Sequence, residues 1–427
     1  MAETRDPVVN VTRTATSALS LIGDTPLVRV TRMDTGPCEL WLKLESQNPG
    51  GSIEDRVARA MIDAAEASGE LKPNGHIVEA AAGNLALGLA LVAAVRGHKL
   101  TLVVSDKVNQ ETILQLKALG ARCVITRGDV EPGHPQHAQE LARRIARDEA
   151  GWLVDHRENP AASRAHEATT GPEIWAQTDG RLDAVVCGLD AGDSQAGLSR
   201  YFAQVDPGVQ VIGADAAAIP DGEAFAVVRE LRRAEGVLAG TSSGALIAAA
   251  LRWCRAQQEP RRVVALILDS GGRHLSPAYN DQWIDEQGLS VRPATGDLRD
   301  LVARRAREGD VIYVGPDDTL SVAYARMRSS DVSQLPVLDG KRLVGIVDES
   351  DMLLAALGDA TRGAASFARP VREVMSPAVQ TLAPTAGVHQ LLPLFDRGMV
   401  GIVVDGDELL GLVTRVDLLN YLRRRAG

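Results

Sequence analysis

Aromatic residues make up 3% of the 427-residue chain, cysteines number four, and six of the 46 basic residues are lysines. Few aromatics means few stacking platforms for single-stranded nucleic acid. A formal net charge of -10 also argues against a phosphate-backbone partner. Cys38, Cys123, Cys187 and Cys254 lie far apart, without the paired spacing of a zinc site or disulfide framework, so reduced thiols and no metal are expected. The opening stretch MAETRDPVVNVTRTATSA lacks the apolar core of a signal peptide. The most apolar run, LALGLALVAAV from Leu85, is about half a membrane span. The expectation is a cytoplasmic protein with no membrane or nucleic-acid partner.

What is present is the composition of a globular chain, 45% hydrophobic and 24% charged. At ~150 residues per domain this length predicts two or three domains. From Leu21 to Gly288 short β-rich runs alternate with amphipathic helical stretches, as in LWLKLE then RVARAMIDAAEASGEL, and KLTLVVS then NQETILQLKALG. Repeated strand-helix units predict an α/β fold with a parallel sheet covered on both faces and ligands beyond the carboxyl ends of its strands. A polar stretch, LSVRPATGDLRD, follows. The C-terminal part then repeats itself, PVLDGKRLVGIVDESDMLL from Pro336 aligning without a gap on IVVDGDELLGLVTRVDLLN from Ile402, with Gly345 on Gly411 and Asp351 on Asp417. The expected organisation is a core at 1–288, a linker at 289–306 and a duplicated module at 307–427, its halves at about 307–360 and 369–427.

The blocks IGDTPLVRV, NPGGSIEDR, GNLALGLA, ALGARCVIT, TTGPEIW and AGTSSGALIAA occur in that order. Together they resemble the cystathionine β-synthase and cysteine synthase family, fold-type II enzymes dependent on pyridoxal phosphate. The duplication looks like a CBS-domain pair, a Bateman module. The resemblance implies a core of two parallel or mixed α/β subdomains followed by that pair. No Cys/His haem-binding segment is apparent, so no haem is expected.

The resemblance also implies where the site would be. In the family a lysine before Asp-Arg forms the cofactor's Schiff base, and here that position is Glu54. A carboxylate cannot form an imine. None of Lys43, Lys72, Lys99, Lys107, Lys117 or Lys341 is placed to replace it. The family's phosphate-cradling loop corresponds to Asp190, Ala191, Gly192, Asp193 and Ser194, whose two carboxylates would repel a phosphate. The substrate loop corresponds to Ala81, Ala82, Gly83, Asn84 and Leu85, and a Gln-aromatic pair to His156 and Arg157. Asn84 matches the residue near the pyridine 3′-oxygen and Ser270 the serine facing the pyridine nitrogen. Each has a structural alternative: Asn84 can cap the helix near Leu85 and Ser270 a strand-end turn. His156 and Arg157 can be a new anionic-ligand site or a surface-loop pair beside a vacated cavity. Glu54 can be a carboxylate paired with Arg56, a general base, or a replacement without function.

In CBS pairs a Gly-hydrophobic-x-Thr-x-x-Asp motif engages the ribose or phosphate of an adenosyl ligand. GLVTRVD supplies it through Thr414 and Asp417, whereas the first copy has Asp348 in place of threonine. Val332 and Gln334 fall in the stretch DVSQLPV, which departs at Val332 and Ser333 from the Phe-Asp-Gln-Ala-Pro pattern of S-adenosylmethionine sensors. One adenosyl site, for AMP, ATP or S-adenosylmethionine, is expected, and a structural alternative makes Thr414 and Asp417 a helix cap.

These readings lead to the expectation of a catalytically inactive, cystathionine β-synthase-like pseudoenzyme that has lost pyridoxal phosphate. It would act through its CBS pair as a ligand sensor or interaction protein, as a homodimer or with a protein partner. The alternative is an active pyridoxal-phosphate-dependent β-replacement enzyme of sulfur amino-acid metabolism.

Overall fold

The computed structural model describes residues 15–189, 193–287, 289, 295–302, 311–357, 367–377 and 379–426. The chain forms two compact units, Met1–Tyr279 and Asn280–Gly427. The division falls ahead of Gly288 because the Asp281–Glu286 helix packs on the Arg415–Ala426 helix of the second unit.

The described residues of the first unit supply β1 (Leu27–Arg29), β2 (Glu39–Leu44), β3 (His76–Glu79), β4 (Lys99–Ser105), β5 (Arg122–Thr126), β6 (Trp152–Leu153), β7 (Ala184–Gly188), β8 (Gln210–Ala214) and β9 (Arg262–Ile267). They make two sheets, ordered β1-β2-β9-β7-β8 and β5-β4-β3-β6. Only β1 with β2 is antiparallel; the other pairs run parallel. Strands covered on both faces read as apolar runs, and Val263, Val264, Ala265, Leu266 and Ile267 of β9 are all fully buried.

Two helices set the geometry of the candidate site. The helix Glu54–Ser68 ends at Gly69, whose φ of 80° supplies the left-handed cap. The helix Gly83–Arg96 packs on it through Gly88, where a Cβ would come within 2.9 Å of the Glu54 carbonyl oxygen and 3.1 Å of Ala58 Cβ. A larger side chain at 88 would push the start of the Glu54 helix outward.

That helix is also anchored by buried charge. Arg56 donates to Glu45 at 2.7 and 2.9 Å and to Glu173 at 2.6 and 2.7 Å. Lys43, fully buried in β2, donates to Glu173 at 2.7 Å, the Thr25 carbonyl at 2.7 Å and Gln177 at 2.9 Å. A buried ion remains charged only when its partners satisfy it. These contacts do so, and they commit Arg56 to Glu45 and Glu173 rather than to Glu54.

The second unit forms one sheet from β10 (Gln334–Asp339), β11 (Arg342–Asp348), β12 (Thr381–Leu382), β13 (Gly401–Asp405) and β14 (Glu408–Val413), ordered β10-β11-β14-β13-β12. The internal repeat is visible in register. Val337 pairs with Gly345 and Val403 with Gly411, and each hairpin shifts register just after the first member of the pair, at positions 66 residues apart (403 minus 337). Leu298, Leu301 and Val302 are buried in a cluster with Leu391, Val403 and Val413. Part of the stretch expected to be linker is therefore core, its apolar residues filling the second repeat. No helix among the described residues is long and apolar enough to cross a membrane.

Candidate functional site

The turn before the Glu54 helix is fixed from several directions. Gly51 has φ of 85°, and the Ile53 N–H donates to the Leu268 carbonyl at 2.8 Å, tying the turn to the residues after β9. Ser52 Oγ accepts from the Glu54 N–H at 3.3 Å. Asp55 turns back to accept from the Gly50 N–H, and burial pushes its carboxyl up to about 6. Alternate positions of the turn thus have separate tasks: Ser52 and Asp55 hold the backbone, Arg56 holds the core, and Glu54 is left to face a cavity.

This cavity, of about 180 Å³, is lined by Glu54, Asn84, Asp193 and Ser194 together with residues that motif reading did not single out, including His166 and Asp269. Among the described residues no side chain donates a hydrogen bond to the Glu54 carboxylate. Burial, reinforced by the negative charge of Asp193, pushes Glu54 up to about 7, against the pull of His156. Asp193 opens the helix Asp193–Val205 and is likewise raised by burial. His166 is buried, bonded to Thr170 Oγ1 at 3.0 Å, and driven down to about 4 by burial, so it is neutral at pH 7.

Asn84 does not cap its helix. Its Nδ2 donates to Asp269 Oδ2 at 2.9 Å and its Oδ1 accepts from Arg273 at 2.7 Å. Asp269 Oδ2 also pairs with His274 Nε2 at 2.8 Å. His156 Nδ1 lies 3.2 Å from Glu79, which raises the imidazole's affinity for a proton. His156 does not line the cavity, and Arg157 is exposed. Ala81 and Leu85 are buried core, whereas Ala82 and Gly83 are exposed; none of the four lines the cavity. Ser270 Oγ accepts from the Gly272 N–H at 3.2 Å, the work of a turn. Asp190, Ala191 and Gly192 lie outside the described residues.

In the second unit Thr414 N and Oγ1 both donate to Asp417 Oδ2, at 2.6 and 2.7 Å, so these two close the start of the Arg415–Ala426 helix as a cap. In the first repeat the Asp348 N–H donates to Asp351 Oδ2 at 3.1 Å, as Thr414 does to Asp417, but the second bond is reversed, the Asp351 N–H donating to Asp348 Oδ1 at 2.8 Å. Val332 packs on the first repeat's core, and Gln334 opens β10.

A family model described as pyridoxal-phosphate dependent enzyme matches residues 18–221, and a CBS domain model matches 298–358 and 371–424. The chain is similar to cystathionine beta-synthase of Oryctolagus cuniculus, 29% identical over 95% of this chain and 85% of that one. It is similar to cysteine synthase B of Escherichia coli (strain K12), 36% identical over 63% of this chain and 98% of that one. A hydrogen sulfide-producing enzyme from Fusobacterium nucleatum superposes with a TM-score of 0.57 at 28% identity, covering 62% of this chain and 99% of the other. O-ureido-L-serine synthase gives a TM-score of 0.57 at 29% identity, with 62% and 94% covered.

These matches overturn two expectations, that the chain is no enzyme and that it takes no cofactor. Each relative and each solved structure named above is an enzyme by name, and the matching model is described by its dependence on pyridoxal phosphate. The expectation of inactivity put the weight of a whole function on single residues, whereas the similarity spans nearly the whole chain. The cavity itself tests how that cofactor would fit. No lysine lines it. Lys43 is committed to Glu173, Gln177 and Thr25, and the other five lysines are exposed. Three carboxylates, from Glu54, Asp193 and Asp269, line the cavity instead. These residues do not fit a cofactor held covalently by a lysine.

Proposed function

Because this chain belongs to the pyridoxal-phosphate-dependent enzyme family and carries a CBS-domain pair, we propose that it is an enzyme of amino-acid β-replacement chemistry, as its relatives' names indicate, with Glu54 as the cavity's acid-base group. One observation carries the reading: Glu54 opens onto the cavity unpaired among the described residues, with its proton affinity pushed up to about 7. A carboxyl poised there both takes and gives a proton near neutral pH. Burial and Asp193 supply the poise, and the Gly50–Arg56 turn supplies the position. Serine or O-acetylserine with homocysteine or sulfide, assayed with and without added pyridoxal phosphate, tests the reading. Product formation in either condition is expected; none in both overturns it.

The CBS pair is read as a regulatory module taking one adenosyl ligand, AMP, ATP or S-adenosylmethionine, at Thr414 and Asp417. Asp417 Oδ2 serves the helix cap, while Oδ1 accepts no hydrogen bond among the described residues and is suited to ribose hydroxyls. A homodimer is supported by exposed apolar residues on the equivalent helices of the two repeats, Glu349–Leu357 and Arg415–Ala426, among which Leu353 and Leu419 occupy corresponding positions. Leu353 and Leu354 are 60% and 69% exposed on one, Val416 and Leu419 62% and 65% on the other. Contiguous exposed apolar surface of this kind marks an interaction face.

A further inference from the structure

Cys38 and Cys254 stand 216 residues apart in the chain, and the fold brings them together. Cys38 Sγ donates to the Cys254 carbonyl at 3.5 Å, and the two thiols lie side by side. Both are buried, 6% and 0% exposed. Backbone and charge fix the juxtaposition. Gly36, with φ of 58°, lets the turn before Cys38 press on the helix Thr241–Arg255, where a Cβ would come within 3.1 Å of Arg255 Cα and 3.3 Å of the Cys254 carbonyl oxygen. Arg255 donates through Nε and Nη2 to the Asp34 carbonyl at 3.2 and 2.9 Å, stitching the turn to the helix end. The other two cysteines are kept apart, Cys123 in β5 and Cys187 in β7, on different sheets.

The two thiols are not alike. Burial, reinforced by the neighbouring thiol, pushes Cys254 up to about 12, so it keeps its proton at pH 7. Cys38 is covered by a turn whose Asp34, Gly36 and Pro37 are exposed, and Arg261 stands close enough for its charge to act on the Cys38 sulfur. A cation beside a thiol favours the thiolate, which is the reactive form. Opening an exposed turn costs far less than unfolding a core. Cys38 is therefore the sulfur that a small oxidant reaches, with Cys254 beside it.

We infer that Cys38 and Cys254 form a redox modification site, closing to a disulfide when a hydroperoxide oxidises the chain. The Cys38 sulfur attacks a peroxide oxygen, the O–O bond breaks, and the departing hydroxide leaves as water with the thiol's proton, giving a sulfenic acid. The Cys254 sulfur then attacks that of Cys38, the S–O bond breaks, and a second water carries off the Cys254 proton. The peroxide gains the two electrons that the two thiols lose, and a thiol reductant reverses the change. The bridge staples β2 to the helix Thr241–Arg255 at their ends remote from the cavity. At the other ends, about 20 Å away by rise per residue, β2 leads to Glu45, which holds Arg56, and the helix carries Ser242, which lines the cavity. The inference is independent of the enzyme reading, since it requires neither turnover nor a cofactor.

The test treats the folded, fully reduced chain with a small excess of hydrogen peroxide, then counts free thiols in denaturant. The count is expected to fall from four to two and to return to four with dithiothreitol, and peptide mapping to find Cys38 joined to Cys254. The thermal midpoint of the oxidised chain is expected to rise by roughly 5 °C, because a cross-link closing so long a loop restricts the unfolded chain. Cys38→Ser, whose hydroxyl can still donate to the Cys254 carbonyl, is expected to fold, to keep its remaining thiols under the same treatment and to show no rise. Cys123→Ser is expected to keep both the bridge and the rise. Four thiols after treatment, a bridge that involves Cys123 or Cys187, a loss that dithiothreitol does not reverse, an equal loss in Cys38→Ser, or a bridged chain with an unmoved midpoint would overturn the inference.

Discussion

Glu54 shows how position alone changes the chemistry of a residue. At the surface its carboxyl would be ionised throughout the neutral range; in the cavity it holds its proton to about 7. A raised carboxyl favours the folded state below the unfolded value of 4.5 and loses that contribution as pH rises through 7. Unfolding free energy is therefore expected to decline across pH 4.5–7, and Glu54→Gln to flatten that decline. At pH 8 the variant should be more stable by about 2 kcal/mol, the full linkage being reduced by the cavity's access to solvent. Denaturant melts across the pH range check this, and an unchanged slope would show that Glu54 is not strained by burial. The identity of residue 54 was plain in the sequence, but its isolation was not. Arg56 is two residues away, and only the fold shows it turned toward Glu45 and Glu173.

Among the elements, the start of the Glu54 helix is placed by contacts that local pattern does not reveal. Alternation of strand and helix was legible because buried parallel strands and amphipathic helices carry different periods, and KLTLVVS is β4 to the residue. The partner of Asn84 was not legible: Asp269 stands 185 residues away, brought in by the turn after β9. His166 and Asp269 consequently escaped motif reading although both line the cavity. The Lys43–Glu173–Arg56 cluster joins β2, the Glu54 helix and the Gly171–Gln177 helix. Lys43→Ala, which leaves Glu173 short of a cation, is expected to cost about 3–5 kcal/mol in unfolding free energy, read from the chemical-denaturation midpoint. A cost under 1 kcal/mol would mean that solvent reaches this cluster. Gly88→Val, with a side chain forced against the Glu54 carbonyl, is expected to cost about 1–3 kcal/mol by the same measurement.

For the whole molecule, the chain divides into two compact units, and the second carries an internal duplication. The duplication was legible at 66-residue spacing, and the structure extends it to the shared register shifts after Val337 and Val403. The burial of Leu298 and Leu301 was hidden because their neighbours are polar and their partners lie about 100 residues later. AMP, ATP and S-adenosylmethionine added separately are expected to include one that raises the unfolding midpoint, with Thr414→Val abolishing the rise by disturbing the Asp417 carboxylate. A shift retained in Thr414→Val would place the ligand elsewhere. Leu353→Glu with Leu419→Glu is expected to lower the mass measured by light scattering from dimer to monomer; an unchanged mass would exclude these helix faces as the contact.

The rate of Glu54→Gln tests the role of this carboxyl most directly. In the condition that gives turnover with serine or O-acetylserine and a sulfur nucleophile, kcat/KM of this variant is expected to fall by about 10²–10⁴-fold. The wild-type profile should carry a limb near pH 7 that the variant's residual rate lacks. A variant that matches the wild-type rate and keeps the limb would contradict the assignment of Glu54 as the acid-base group.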